Sequence, residues 1–251
     1  MAKDILHEEQ SELRSSTQQK EIDQTRRNLT RIGLTTPVLM SFSGYSPLAN
    51  ACATPSRHAS GNTSPHTEEP VYSCNGKPPS YLVKCASFSS WPLGGLDAPQ
   101  LQIQDSSGNP IGCTGDGIPS FDSFFSSDSN PPASKISSFG TAVDTFVGVT
   151  TTFIPVLPTN GAETVDQTRL ASVWEVLAFP EKQPDPQAAQ FAQFIIAAIY
   201  NANADSKYPV SVAQAKEMFA KGPLTEYEPT HGVKWGVTEI ISYLQSTMGF
   251  V

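Results

Sequence analysis

Beyond residue 51 the side chains able to do chemistry are few: His58, His66 and His231, four cysteines and scattered carboxylates. His231 stands in the stretch "EPTHG", with Glu226, Glu228 and Glu239 close in sequence. A histidine beside a carboxylate is the minimum for general acid–base work, because imidazole titrates near neutrality and a carboxylate can orient it. A hydrolase built on His231 and these glutamates is therefore one reading. The nucleophile and metal patterns that would complete it are absent. There is no Gly-x-Ser-x-Gly, no Ser-x-x-Lys, no P-loop, no Rossmann fingerprint and no EF-hand loop. His7-Glu8 has no second histidine at the spacing a His-Glu-x-x-His zinc site needs. Asp116 in "TGDG" and Asp122 in "SFDSF" could form the carboxylate pair of glycoside chemistry. Asp-Gly is equally an ordinary turn pair. No catalytic residue is assigned on these grounds.

The cysteines are Cys52, Cys74, Cys85 and Cys113. Their spacings are too wide for a zinc site, which brings ligands in as close pairs, and His58 and His66 fit no ligand pattern. No metal and no cofactor is assigned. An even set of cysteines in an exported chain points to two disulfides, and three connectivities remain open. Each crosslink is worth about 2–4 kcal/mol through its restriction of the unfolded chain.

Whether the chain is exported turns on residues 25–56, "TRRNLTRIGLTTPVLMSFSGYSPLANACATPS". A secretory signal has a positive start, an apolar stretch of about 7–15 residues and a small-x-small cleavage site. Arg26, Arg27 and Arg31 supply the charge, residues 32–45 the apolar stretch, and Ala49-Asn50-Ala51 the cleavage site. Thr25-Arg26-Arg27-Asn28-Leu29-Thr30-Arg31 resembles the twin-arginine export motif, with both arginines intact. Gly33 and Pro37 argue against an amphipathic helix of the mature protein. Residues 1–24 are a polar extension of mixed charge. Ala51-Cys52-Ala53 offers a second cleavage site, one that would discard Cys52. A lipid anchor at Cys52 is disfavoured, because Leu48 lies four residues before it rather than three and Asn50 intrudes.

The elements that must position any site divide by composition. Residues 52–157 are rich in Pro, Ser, Gly and Asn and read as a loop-rich, disulfide-stapled part with short strands. Leu101-Gln102-Ile103-Gln104 alternates apolar and polar and predicts a hairpin closing on Ile111. Residues 119–138 read as a long loop anchored by Phe121, Phe124 and Phe125, and residues 142–157 as strand. Residues 158–251 are helical. Thr164-Val165-Asp166-Gln167 reads as a capping box, opening a helix with Leu170, Val173, Trp174 and Leu177 on one face and stopped by Pro180. Asp185-Pro186 caps a central helix facing inward with Phe191, Phe194, Ile195, Ala198 and Ile199. Ser211-Val212-Ala213-Gln214 opens a short helix to Lys221, and residues 237–248 form the last. The expected fold class is mainly α: a compact C-terminal bundle of about four helices with minor β-hairpin content.

Of the 251 residues, 38% are apolar and 16% charged, and the net charge of −8 lies entirely beyond residue 51. So acidic a body is repelled by nucleic-acid phosphates and anionic lipid. No stretch approaches the roughly 18–20 apolar residues of a membrane span.

Three segments resemble a group of uncharacterised, exported proteobacterial proteins. Cys52-Ala53-Thr54-Pro55-Ser56 and Ser60-Gly61-Asn62-Thr63-Ser64 are similar to the group's Cys-x-Pro-Ser…Ser-Gly-Asn-x-Ser segment, with one extra residue after the cysteine. Cys74-Asn75-Gly76-Lys77-Pro78-Pro79-Ser80-Tyr81-Leu82 is similar to its Cys-x-Gly-x-Ser-Pro-Gly-Tyr-Trp-Lys segment. Ala197-Ala198-Ile199-Tyr200-Asn201-Ala202 is similar to its Ala-Ala-x-x-Asn-Ala signature. Pro78, Ser80 and Leu82 depart from the group's Ser, Gly and Trp. Tyr81 keeps the aromatic of that patch and is a candidate contact residue. The group carries no established activity, so the resemblance implies export and no mechanism.

Two readings follow. The favoured one is an exported, non-enzymatic envelope, surface or extracellular protein, periplasmic or at the cell surface, with a protein or glycan partner and with Tyr81, Trp91 and Trp235 as candidate contacts. The alternative is a periplasmic hydrolase using His231.

Overall fold

In chain order the elements are helices α1 (Pro55–Ser60) and α2 (Pro79–Leu82), a 3₁₀ helix (Cys85–Gly94), and strands β1 (Gln100–Gln104), β2 (Pro110–Ile111) and β3 (Lys135–Ser138). Helices α3 (Val143–Val147), α4 (Val173–Ala178), α5 (Pro186–Ala204) and α6 (Val212–Lys221) follow, then strands β4 (Tyr227–Thr230) and β5 (Val233–Trp235) and helix α7 (Val237–Thr247). The computed structural model describes residues 53–61, 72–104, 110–111, 117–118, 121–124, 135–158 and 164–249. All of them fall in one contact unit, Pro47–Val251. The change in composition at Pro158 is thus not a domain boundary. The chain is mainly α, as its periodicity predicts.

Helix α5 is the centre. Asp185 Oδ1 accepts from the backbone N–H groups of Gln187 and Ala188, both at 3.0 Å, and Pro186 occupies the first turn, where no N–H is needed. Phe191, Ile195, Ala198 and Ile199 are buried as expected, and Ala189, Ala192, Ile196 and Ala197 are buried too. A helix buried on nearly every side must be wrapped by others. Helices α4, α6, α7 and the 3₁₀ helix pack against it. Helix α6 opens at the expected box, where Ser211 Oγ accepts from Gln214 N (3.2 Å) and Gln214 Oε1 accepts from Ser211 N (2.9 Å). Helix α7 also forms where expected, burying Ile240 and Leu244.

The helix expected from Thr164 begins eight residues later. Asp166 Oδ1 accepts from Thr168 N (2.9 Å) and Thr168 Oγ1 (2.6 Å), a local turn that competes with helix. The working capping box is Ser172 with Glu175: Ser172 Oγ accepts from Glu175 N at 3.2 Å, and Glu175 Oε2 accepts from Ser172 N at 3.0 Å. Leu170, expected on the buried face, is 57% exposed. Glu175 is itself fully buried. Its carboxylate takes the Arg169 guanidinium (2.6 Å from Nη1) and the N–H groups of Val156 and Leu157, both at 3.0 Å. Arg169 also lies 3.5 Å over the Phe139 ring. A buried carboxylate needs such a set of partners, since unpaired it would be strongly destabilising.

Three further expectations are corrected. Residues 142–157 are not a strand. Val143, Phe146 and Val147 bury one face of helix α3, which Gly148 ends at φ +81°. Residues 119–138 are not all loop: Phe121–Phe124 is a 3₁₀ turn with Phe124 buried, and β3 pairs antiparallel with β1. Residues 52–100 bury real core, with Leu82, Trp91 and Leu96 at 0–1% exposure. The hairpin expected at 101–111 is present, Ile103 facing Ile111 in register, and makes the sheet β2-β1-β3.

Candidate binding groove

The residues from Ser73 to Leu96 form only the short α2 and the 3₁₀ helix, and α5 holds them in place. The Asn201 side chain accepts from Lys77 N (2.7 Å) and donates to Lys77 O (2.9 Å). Asn201 is 4% exposed, so this clamp satisfies an otherwise costly buried amide. Gly76 N donates to Thr247 O at 3.3 Å. A Cβ on Gly76 would meet Tyr208 Cε2 at 2.7 Å and Asn201 Nδ2 at 3.0 Å, so only glycine fits between the two helices. Tyr208 Oη and Thr247 Oγ1 are bonded at 2.7 Å, and burial raises the Tyr208 phenol well above its usual range. Further along, Tyr200 Oη donates to Ser90 Oγ (2.9 Å) and Asn203 Nδ2 to Gly94 O (2.8 Å). One helical stretch, Tyr200 to Asn203, thus fixes three points of the preceding segment.

The fixed segment shapes an open groove of about 420 Å³ between α2 and the end of α7. Cys74, Lys77, Ser80, Tyr81, Lys84, Met248 and Gly249 are among the residues that line it. Pro78 and Pro79 start α2, and Tyr81 N donates back to Pro78 O at 3.0 Å. Lys77 is exposed, and its ammonium sits 5.0 Å from the centroid of the Tyr81 ring. Such a contact between a cation and an aromatic face is attractive by about 0.5–1 kcal/mol at exposed sites. Lys77, Lys84, Tyr81 and Ser80 thus line one groove on a chain of net charge −8. That set suits an anionic group carried on a sugar-like or peptide frame.

Tyr81 lines this groove. Trp91 and Trp235 are not contact residues. Trp91 is fully buried: Nε1 donates to Leu82 O at 3.2 Å, and the ring meets Phe88 edge-on at 5.3 Å. Trp235 is 6% exposed, tilted against Tyr243 at 5.2 Å and edge-on to His58 at 5.8 Å. His58 thus serves to seat α1 on the aromatic cluster. His231 lies at the exposed turn between β4 and β5, its nearest carboxylate, Glu228, 3.9 Å away. Glu226 and Glu239 are exposed too. Nothing there excludes water or aligns a proton transfer, so the geometry gives the hydrolase reading no support. Asp122 is exposed in the 3₁₀ turn, and its suggested partner Asp116 lies outside the described residues. Among the described residues no cluster of His, Cys, Asp or Glu could hold a metal ion.

Cys74 and Cys85 are described, and neither is a free thiol. Cys52, Cys113, the leader 1–51 with Arg26 and Arg27, Phe125 and His66 lie outside the described residues. Among the described residues no helix is long and apolar enough to cross a membrane. Reasoning from sequence passed over Lys77, Lys84, Gly76 and Asn201. Two lysines set four before and three after Tyr81 were the available signal for the first pair. The Ala-Ala-x-x-Asn-Ala signature was the signal for Asn201.

Compared with family models, with curated proteins and with solved structures, the chain matches none of them.

Proposed function

We propose that this is an exported, non-enzymatic binding protein of the cell envelope or exterior, and that the groove at Lys77, Tyr81 and Lys84 takes an acidic glycan. The observation that carries this reading is a groove lined by two lysines and a tyrosine, the Lys77 ammonium lying over the tyrosine ring, on an otherwise acidic molecule. Sugar rings lie against aromatic faces while ammonium groups meet carboxylates, and an acidic body repels polyanions everywhere else. The address read at Arg26 and Arg27 supports export, as does the wealth of polar loops. The test uses the mature protein and immobilised polygalacturonate, with dextran as the neutral control. Lys77→Ala/Lys84→Ala should weaken retention on the acidic polymer at least tenfold, and retention should fall with salt. Equal binding to dextran, or no effect of the double substitution, overturns the reading. Export is tested separately: Arg26→Lys/Arg27→Lys should leave the protein in the cytoplasmic fraction.

A further inference from the structure

We propose that Cys74 is crosslinked to Cys52 and Cys85 to Cys113, and that the leader is therefore cut before Cys52 and not after Ala53. The first pair follows from what converges on one face of α7. Tyr243 Oη donates to Ala53 O at 2.8 Å, placing the residue after Cys52 against this helix. One turn further along, Thr247 O accepts from Gly76 N, and Cys74 O lies 3.8 Å from where a Cβ on Gly249 would stand. Tyr72, two residues before Cys74, is near enough to the Tyr243 phenol to act on it electrostatically. Residue 53 and residues 74–76 thus both lie against α7 and the turn that follows it, at Tyr243 and at Thr247 to Gly249. Cys85 meets a different stretch of chain: its N–H donates to Gly117 O at 3.4 Å, four residues after Cys113. Since neither Cys74 nor Cys85 is a free thiol, each takes the cysteine on the strand of chain beside it.

The chemistry is thiol–disulfide exchange with a protein disulfide oxidant. One thiolate attacks the oxidant's disulfide, the second cysteine resolves the mixed disulfide, and the oxidant leaves as its dithiol with the two electrons. A cut after Ala53 would remove the partner of Cys74 and separate α1 from its anchor. The carbonyl held by Tyr243 would go with it. The location of the cut rests on the export reading; the pairing does not.

The experiment is a tryptic map without reductant, made on the full chain oxidised in a glutathione buffer. Trypsin leaves Cys52 in peptide 32–57, Cys74 in 58–84 (Lys77 precedes a proline) and both Cys85 and Cys113 in 85–135. The expected products are 32–57 joined to 58–84, and 85–135 lighter by two hydrogens. Either small peptide joined to 85–135, or free thiols throughout, overturns the pairing. On protein recovered from outside the cytoplasm, an N-terminus at or before Cys52 supports the cut, and one at Thr54 overturns it. A chain that stays in the cytoplasm defeats the export reading and leaves the pairing to the map.

Discussion

Residues 186–204 and residues 73–96 pack against each other and bury comparable side chains, yet they are built differently. Helix α5 carries its instructions locally: an Asp cap, a Pro in the first turn and apolar residues at helical spacing. The earlier segment has two short helical pieces and no periodicity. Its shape comes from side chains of α5, with Asn201, Tyr200 and Asn203 bonded to its backbone or hydroxyls. The first kind of order can be read one turn at a time. The second exists only after the partner helix is present. The groove therefore sits on the dependent segment, and its geometry is set from a distance in sequence of about 120 residues.

The largest way to break this comparison is Trp91→Ala. Emptying a fully buried indole site costs about 3–5 kcal/mol. If the segment and α5 share one core, chemical denaturation of this variant shows a single transition shifted to lower denaturant. Two separated transitions would make the segment an independent unit. Asn201→Ala is smaller and sharper. It removes two part-buried hydrogen bonds to the Lys77 backbone, about 2 kcal/mol in all. Amide exchange at Gly76 and Lys77 should accelerate while α5 stays protected, and retention on polygalacturonate should fall with it. Smallest is Ser211→Ala, which deletes a cap worth about 1 kcal/mol. Its effect should stay in α6 and leave the groove's binding untouched. If it loosened the groove as much as Asn201→Ala, the contrast drawn between local and borrowed order would fail.

The same contrast explains what was legible in the sequence. Helices α5, α6 and α7 and the hairpin at Ile103 and Ile111 were readable because caps, periodicity and turn residues act over a few positions. The false start at Thr164 shows the limit: two capping boxes competed, and the buried salt bridge of Glu175 with Arg169 favoured the second. Strand β3 was hidden because "KISS" owes its pairing to β1, some 35 residues earlier. Trp91 and Trp235 are core and not surface residues, and the sequence could not show this because tryptophan in a loop-rich stretch reads alike whether it anchors or contacts. Lys77 and Lys84 come to line one groove only through the fold of α2, and Asn201 bears on that groove only by virtue of what it holds.

Glu175 carries a consequence for how such a protein can diverge. Its single carboxylate serves the start of α4, the guanidinium of Arg169 and the extended segment at Val156 and Leu157. Loss of either charged partner alone leaves a stranded buried ion. Positions 169 and 175 are therefore free to drift only as a pair, and sequences descended from a common ancestor should either keep both charges or replace both together.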